Sequence, residues 1–124
     1  MKKLGDSELE IMKILWMHEE PLTSNQILEE LSGCVNWKLS SLMTALSRLA
    51  DKGFVYCDRS TRTNYYTSLI KKQDYVTREG ENFLEKLFSN SIQKFVTNLY
   101  DSKSITDKDI QELREWIDSL EKDK

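Results

Sequence analysis

The feature that most restricts the fold of this chain is a change of period at Gly53. Before that glycine the apolar residues recur at helical spacing. After it they fall into two short β-branched and aromatic runs, residues 54–59 and 64–69. The four residues between the runs, Ser60, Thr61, Arg62 and Thr63, are polar and suit a turn, so a two-stranded hairpin is expected. With only 4 glycines and 1 proline to interrupt it, the rest of the chain is expected to be helical, giving a mainly α protein with a small β-hairpin.

Three helices are expected upstream of the hairpin. The first, residues 6–18, is capped by Asp6 or Ser7, with Ser7-x-x-Glu10 in the form of a capping box, and turns Leu9, Ile11, Met12, Leu15 and Trp16 inward. Pro21 ends it. His18 falls at its C-terminus, where positive charge is favoured, and no second ligand gives it a metal role. A short extended piece, residues 22–26, leads through Thr23-x-x-Gln26 into a second helix that carries Ile27, Leu28 and Leu31 inward and stops near Gly33. The third helix, residues 39–52, repeats Leu39, Leu42, Leu46 and Leu49 on an inner face. At 100° per residue Ser40, Thr44, Ser47, Arg48 and Asp51 lie opposite, flanked by Ser41 and Lys52. Small hydroxyls and an arginine on the outer face let such a helix approach another surface closely. Three short helices followed by a basic-tipped hairpin is the order of a winged helix-turn-helix domain, assigned to residues 1–70.

Residues 71–124 are expected to form a helical dimerisation domain. Phe83, Leu84, Leu87 and Phe88 make one stripe, with Tyr75 upstream and Gly80 as a weak point. Ser89-Asn90-Ser91 is a break, with Ser91 placed to cap a helix carrying Ile92, Phe95, Val96 and Leu99. After a linker, residues 100–104, Thr106-x-x-Asp109 caps a last helix bearing Ile110, Leu113, Trp116, Ile117 and Leu120. So short a helical segment has too little core to bury three stripes by itself, and a second copy of the chain is expected to cover them; packing on the N-terminal domain is the alternative.

The formal net charge is −3, which argues against a nucleic-acid partner until it is mapped. Residues 2–30 hold three cations against seven anions, and residues from 71 onward ten against twelve. Residues 38–62 hold five cations (Lys38, Arg48, Lys52, Arg59 and Arg62) against two anions, so the one net-basic stretch coincides with the third helix and the hairpin. Arg62, at the hairpin tip, is assigned to phosphate or minor-groove contact. Nothing points to an enzyme: there is no glycine-rich phosphate loop, no nucleophile elbow and no HExxH, and Cys34 and Cys57 lie too far apart for a zinc or redox pair. Neither metal nor small-molecule cofactor is expected. Tyr65-Tyr66 and the three tryptophans are assigned to packing. No apolar run exceeds the four residues of 14–17, far short of a membrane span, and no secretory signal opens the sequence, so a cytoplasmic location is expected.

The chain resembles the penicillinase-repressor (BlaI/MecI-type) transcriptional regulators over nearly its whole length. The resemblance rests on Glu8-Leu9-Glu10-Ile11-Met12-Lys13-Ile14-Leu15-Trp16, on Val35-Asn36-Trp37, on Thr44, Arg48-Leu49 and Lys52-Gly53-Phe54, and on Arg62 with Tyr65-Tyr66. It continues in Asn82-Phe83-Leu84-Glu85-Lys86-Leu87-Phe88 and in residues 105–114. It implies a homodimeric winged-helix repressor on palindromic operators with TACA/TGTA-like half-sites, dimerised through its C-terminal helices. It also implies a membrane-bound sensor protease as partner, which signals a cell-wall antibiotic by cutting the dimerisation domain at an Asn-Phe bond. The matching position here is Asn98-Leu99, which keeps the Asn and not the Phe. Two further departures touch the third helix: Lys38-Leu39-Ser40-Ser41 stands where the family has Ser-Pro-Lys-Thr, and Met43 and Asp51 stand where it commonly has cations. The Cys-x-Cys pairs of the copper-sensing branch are absent.

Together these observations give an expected mechanism. The third helix enters the major groove with Lys38, Ser40, Ser41, Thr44, Ser47, Arg48 and Lys52, while Arg59 and Arg62 of the wing hold the flanking backbone of a double-stranded operator. The alternatives are a winged helix used to dock a protein partner, or a regulator with a non-proteolytic trigger.

Overall fold

The structure, a computed structural model, describes residues 2–32 and 37–122. The helix stop at Gly33, Cys34, and the Val35-Asn36 part of the resemblance lie outside the described residues. In chain order the elements are α1 (Asp6–Met17), β1 (Leu22–Thr23), α2 (Ser24–Leu31), α3 (Leu39–Asp51), β2 (Val55–Asp58), β3 (Tyr65–Ser68), α4 (Lys72–Phe88), α5 (Ile92–Asp101) and α6 (Asp107–Lys122). They divide into two compact units, Met1–Glu79 and Gly80–Lys124, with the boundary inside α4.

The first unit is built on α1, α2 and α3. The expected cap at Asp6 or Ser7 is replaced by one at Gly5, whose N–H donates to the Glu8 carboxylate at 2.8 Å. Glu8 rather than Glu10 reaches back because it is the third residue of the helix, where a carboxylate can meet the cap N–H. The second cap is as expected: the Thr23 hydroxyl accepts from the Gln26 N–H at 3.2 Å, and the Gln26 side chain accepts from the Thr23 N–H at 2.8 Å. His18, the residue after α1, ties that helix to α2 by placing Nε2 2.9 Å from both carboxylate oxygens of Glu30.

Gly53 closes α3 with φ +84°, a left-handed conformation that L side chains rarely adopt. Its N–H donates to Ala50 O at 3.0 Å and the next N–H, of Phe54, to Leu49 O at 2.9 Å, while Phe54 and Leu49 are both fully buried. This pair of bonds, with its apolar contact, terminates the helix and turns the chain into β2.

The sheet has three strands, not two. The order is β1-β3-β2, all antiparallel, with Leu22 opposite Tyr66 and Thr23 opposite Tyr65. Two residues are too few to show an alternating pattern, but the cap of α2 requires Thr23 to be extended, and that places β1 to pair with β3. Ile11, Met12, Ile27, Leu42, Leu46, Leu49 and Phe54 form the innermost core. Leu39, expected inside, is 46 % exposed; the buried face of α3 is Leu42, Ala45, Leu46 and Leu49.

The start of α4 completes this core. Tyr75 packs 5.9 Å from the Trp16 ring and edge-on to Phe54 at the same distance, and its hydroxyl accepts the Leu4 N–H at 3.0 Å. Trp16 Nε1 donates to Ser68 Oγ and to Ile70 O, which fixes the chain between β3 and α4.

In the second unit Ser89 and Asn90 adopt left-handed φ of 49° and 66°, breaking α4 from α5. The Ser91 hydroxyl caps α5 by accepting the Lys94 N–H at 3.1 Å. Thr106 and Asp109 cap α6 reciprocally, through the Thr106 N–H to the carboxylate at 2.8 Å and the Asp109 N–H to the hydroxyl at 3.2 Å. Phe83, Phe88 and Phe95 cluster with ring centroids 5.1–5.8 Å apart. No residue of α5 or α6 is buried, and Leu87, Ile92 and Trp116 are more than half exposed. Trp116, assigned to packing from the sequence, is 58 % exposed. Among the described residues no helix is long and apolar enough to cross a membrane.

Candidate nucleic-acid interface

The inner face of α3 is anchored by its buried leucines, which turns the outer face to solvent. Lys38 at the N-cap, Ser40, Ser41, Thr44, Ser47 and Arg48 are all exposed. The Thr44 hydroxyl donates to Ser40 O at 3.0 Å, so its proton is engaged by the helix and the side chain presents an acceptor oxygen and a methyl group. Met43, at 38 %, and Leu39 join this exposed surface one turn apart. Neither residue belongs to the sequence-derived set. The departure at Met43 was the available signal for it, whereas the leucine period concealed Leu39.

Lys52 is placed differently from the other basic residues. Its Nζ lies 2.7 Å from Glu8 Oε1, with side-chain exposures of 27 % for Lys52 and 10 % for Glu8. Burial pushes the Glu8 carboxyl upward, but the Lys52 hydrogen bond, the Gly5 N–H and the charges of Lys52 and Arg48 outweigh it and hold the group below its ordinary range. Glu8 Oε2 is buried with no hydrogen-bond partner. This pair ties the start of α1 to the end of α3 and was missed in the sequence. Its signal was there: Glu8 lies three and four residues before Ile11 and Met12, on the buried stripe of α1, where a carboxylate needs a cation.

The β2–β3 loop carries Arg59 and Arg62, both exposed. Asp58 turns its carboxylate onto the loop, accepting the Ser60 N–H at 2.9 Å, and the Ser60 hydroxyl and amide hold its pKa below the usual range. The Thr61 hydroxyl donates to Thr63 O at 2.7 Å, so the tip is braced by its own backbone contacts. Beneath it Tyr66 is buried, and burial together with the Cys57 sulfur pushes its hydroxyl pKa up. The wing therefore presents Arg59 and Arg62 on a loop closed by the Ser60 and Thr61 hydrogen bonds, with Arg59 also hydrogen-bonded to the Cys57 sulfur, and α3 and the wing belong to the same compact unit.

The remaining sequence-derived residues lie in the second unit or at its start. Phe83, Leu87, Ile92, Trp116, Ile117 and Leu120 are exposed; Leu84, Phe88, Phe95, Val96, Leu99, Ile110 and Leu113 are half-buried. The Asn98-Leu99 bond is in the last turn of α5.

The penicillinase repressor family profile matches residues 4–119. The chain is 29 % identical to the penicillinase repressor of Bacillus licheniformis over 121 residues, covering 95 % of this chain and 94 % of that protein. It is 27 % identical to the methicillin resistance regulatory protein MecI of Staphylococcus aureus (strain N315) over 112 residues, 90 % of each chain. The solution structure of the monomeric form of Bacillus licheniformis BlaI in complex with the blaP half-operator matches 60 % of this chain and 89 % of that one, at 34 % identity and a TM-score of 0.51. The chain thus belongs to the penicillinase repressor family, as a repressor of the BlaI and MecI type rather than an enzyme.

Proposed function

We propose that this protein is a homodimeric transcriptional repressor that holds a palindromic operator between α3 and the wing of each protomer. The observation that carries the reading is the outer face of α3: hydroxyls, Arg48 and Lys38 all turned to solvent, beside a braced loop that adds Arg59 and Arg62. The similarity to a BlaI bound to a half-operator supports the same use here. Ser40, Ser41, Thr44 and Ser47 meet phosphates or base edges, Arg48 reaches a guanine edge or a phosphate, and the wing arginines hold the flanking backbone. Lys52 serves the fold through Glu8. The site of action is the cytoplasm, where the DNA is.

The helices from Gly80 onward form the dimer, which the exposed apolar groups on α4, α5 and α6 support. Two half-sites then lie about one helical turn apart. Release follows cleavage at Asn98-Leu99 by a membrane-bound sensor protease answering a cell-wall antibiotic. Asn98 O and Leu99 O accept the N–H groups of Ser102 and Ser104, the bonds that close the end of α5, so little helix has to unwind before a protease reaches the bond.

Gel shifts at low salt on DNA upstream of the chain's own gene test the first part; a folded dimer that gives no shift refutes it. Incubation with a matched receptor and mass mapping of fragments tests the second. An intact chain after release from DNA rules cleavage out and leaves a non-proteolytic trigger.

A further inference from the structure

Leu39 and Met43 sit one turn apart on α3, 46 % and 38 % exposed, on the flank of the face that carries Ser40, Thr44 and Ser47. Isolated apolar residues are common on surfaces, but these two border the face assigned to the major groove. Arg48 occupies the opposite flank of the same face. Between them Thr44 has its hydroxyl proton engaged by Ser40 O at 3.0 Å, so it has no donor to give a base. One flank of the helix is therefore cationic and the other apolar, and the apolar flank has neither charge nor donor with which to meet a phosphate or a purine N7.

Of the unmodified base edges in the major groove, thymine alone offers an apolar group, its C5-methyl. An unbranched, polarisable thioether adapts well to such a small apolar target. We propose that Met43, with Leu39 beside it, is a specificity-determining residue that recognises a thymine C5-methyl in each half-site. The proposal rests on the assignment of α3 as the recognition helix, and its test separates the two.

The full chain is used to enrich a duplex from a random-sequence pool. The enriched duplex is then remade with deoxyuridine in place of one thymidine at a time, which removes only the methyl group. Anisotropy titrations at fixed salt are expected to show one position per half-site where uracil lowers affinity, by about fourfold per methyl, the worth of one buried CH₂ group. Met43→Gln, which alters both protomers, should weaken binding to the thymine duplex by about the square of that factor, become indifferent to uracil at that position, and keep its salt dependence and melting temperature. Met43→Leu should keep the uracil penalty. If Thr44→Ser abolishes the penalty and Met43→Gln does not, or if tight specific binding shows no uracil penalty anywhere, the role of Met43 is overturned while DNA recognition stands. If no sequence is enriched, both fall.

Discussion

Replacing Lys52 by methionine tests whether this basic residue serves the fold or the DNA. The substitution keeps the aliphatic length and removes the ammonium 2.7 Å from Glu8, leaving a carboxylate whose side chain is only 10 % exposed with the Gly5 N–H as its remaining hydrogen bond. Removing one partner of a fully buried pair costs about 3–5 kcal/mol. Lys52 keeps 27 % of its side-chain exposure and Gly5 still donates, so a loss of roughly 2 kcal/mol is expected. For a domain of this size that lowers the melting temperature by on the order of 10 °C. The pH dependence has a definite sign. In the parent protein the folded-state pKa of Glu8 is depressed, so its contribution is fully present above the ordinary value of about 4.5 and is lost as pH falls through the folded value. In the variant the Lys52 contributions are gone while burial still opposes the charge, so the two stabilities converge as pH drops below about 4.5 and Glu8 is protonated in both. Urea denaturation followed by circular dichroism from pH 7 down to about 3 measures this. DNA binding provides the second readout: if Glu8 rather than a phosphate holds Lys52, the slope of log K against log salt should not change. A variant as stable as the parent whose salt slope falls by about 0.9 per protomer would refute the assignment and return Lys52 to the DNA.

Arg48→Ala should cost roughly 1–3 kcal/mol on the specific site and much less on random duplex; equal losses in competition titrations would remove its base-reading role. Arg62→Ala should weaken all duplexes alike and reduce the salt slope by about 0.9 per protomer, measured between 50 and 200 mM salt. Tyr75→Phe removes the hydroxyl that accepts the Leu4 N–H, so about 1–2 kcal/mol of stability should go without change in DNA specificity. Trp116→Asp places a charge on the exposed stripe of α6, and sedimentation should show a folded monomer in place of a dimer.

What could be seen in the sequence was the part of the fold set by neighbours a few residues apart. The caps at Thr23, Ser91 and Thr106, the stop at Gly53 and the hairpin all depend on local backbone geometry, and each carries its own residue signature. The misses are non-local. Glu8 and Lys52 are 44 residues apart, and the buried stripe of α1 shows that Glu8 needs a cation but not which one supplies it. The leucine period gives the direction Leu39 faces but not whether another element lies there to cover it. β1 is a strand only because β3 offers it a partner. The exposed groups of the interface were legible because a hydroxyl and arginine face opposite a leucine stripe needs no tertiary contact to define it. The engaged proton of Thr44 was not, since rotamer choice decides it.

The Glu8–Lys52 pair also changes what the charge map means for regulation. Of the five cations in the basic stretch, one is neutralised inside the fold, leaving Lys38, Arg48, Arg59 and Arg62 exposed on each protomer. At about 0.9 counterions released per phosphate contact, one winged helix can develop a salt slope of roughly 4 and a dimer about twice that. On the proposed dimeric arrangement a lone protomer of this acidic chain would be a weak binder at physiological salt, and the second half-site would supply affinity through effective concentration rather than through new contacts. Under this arrangement the winged helix needs no conformational switch. On that arrangement, severing the helices that join two protomers would leave α3 and the wing unaltered, yet would reduce a bivalent affinity to the weak affinity of one half-site. Such a loss would be enough to clear the proposed operator.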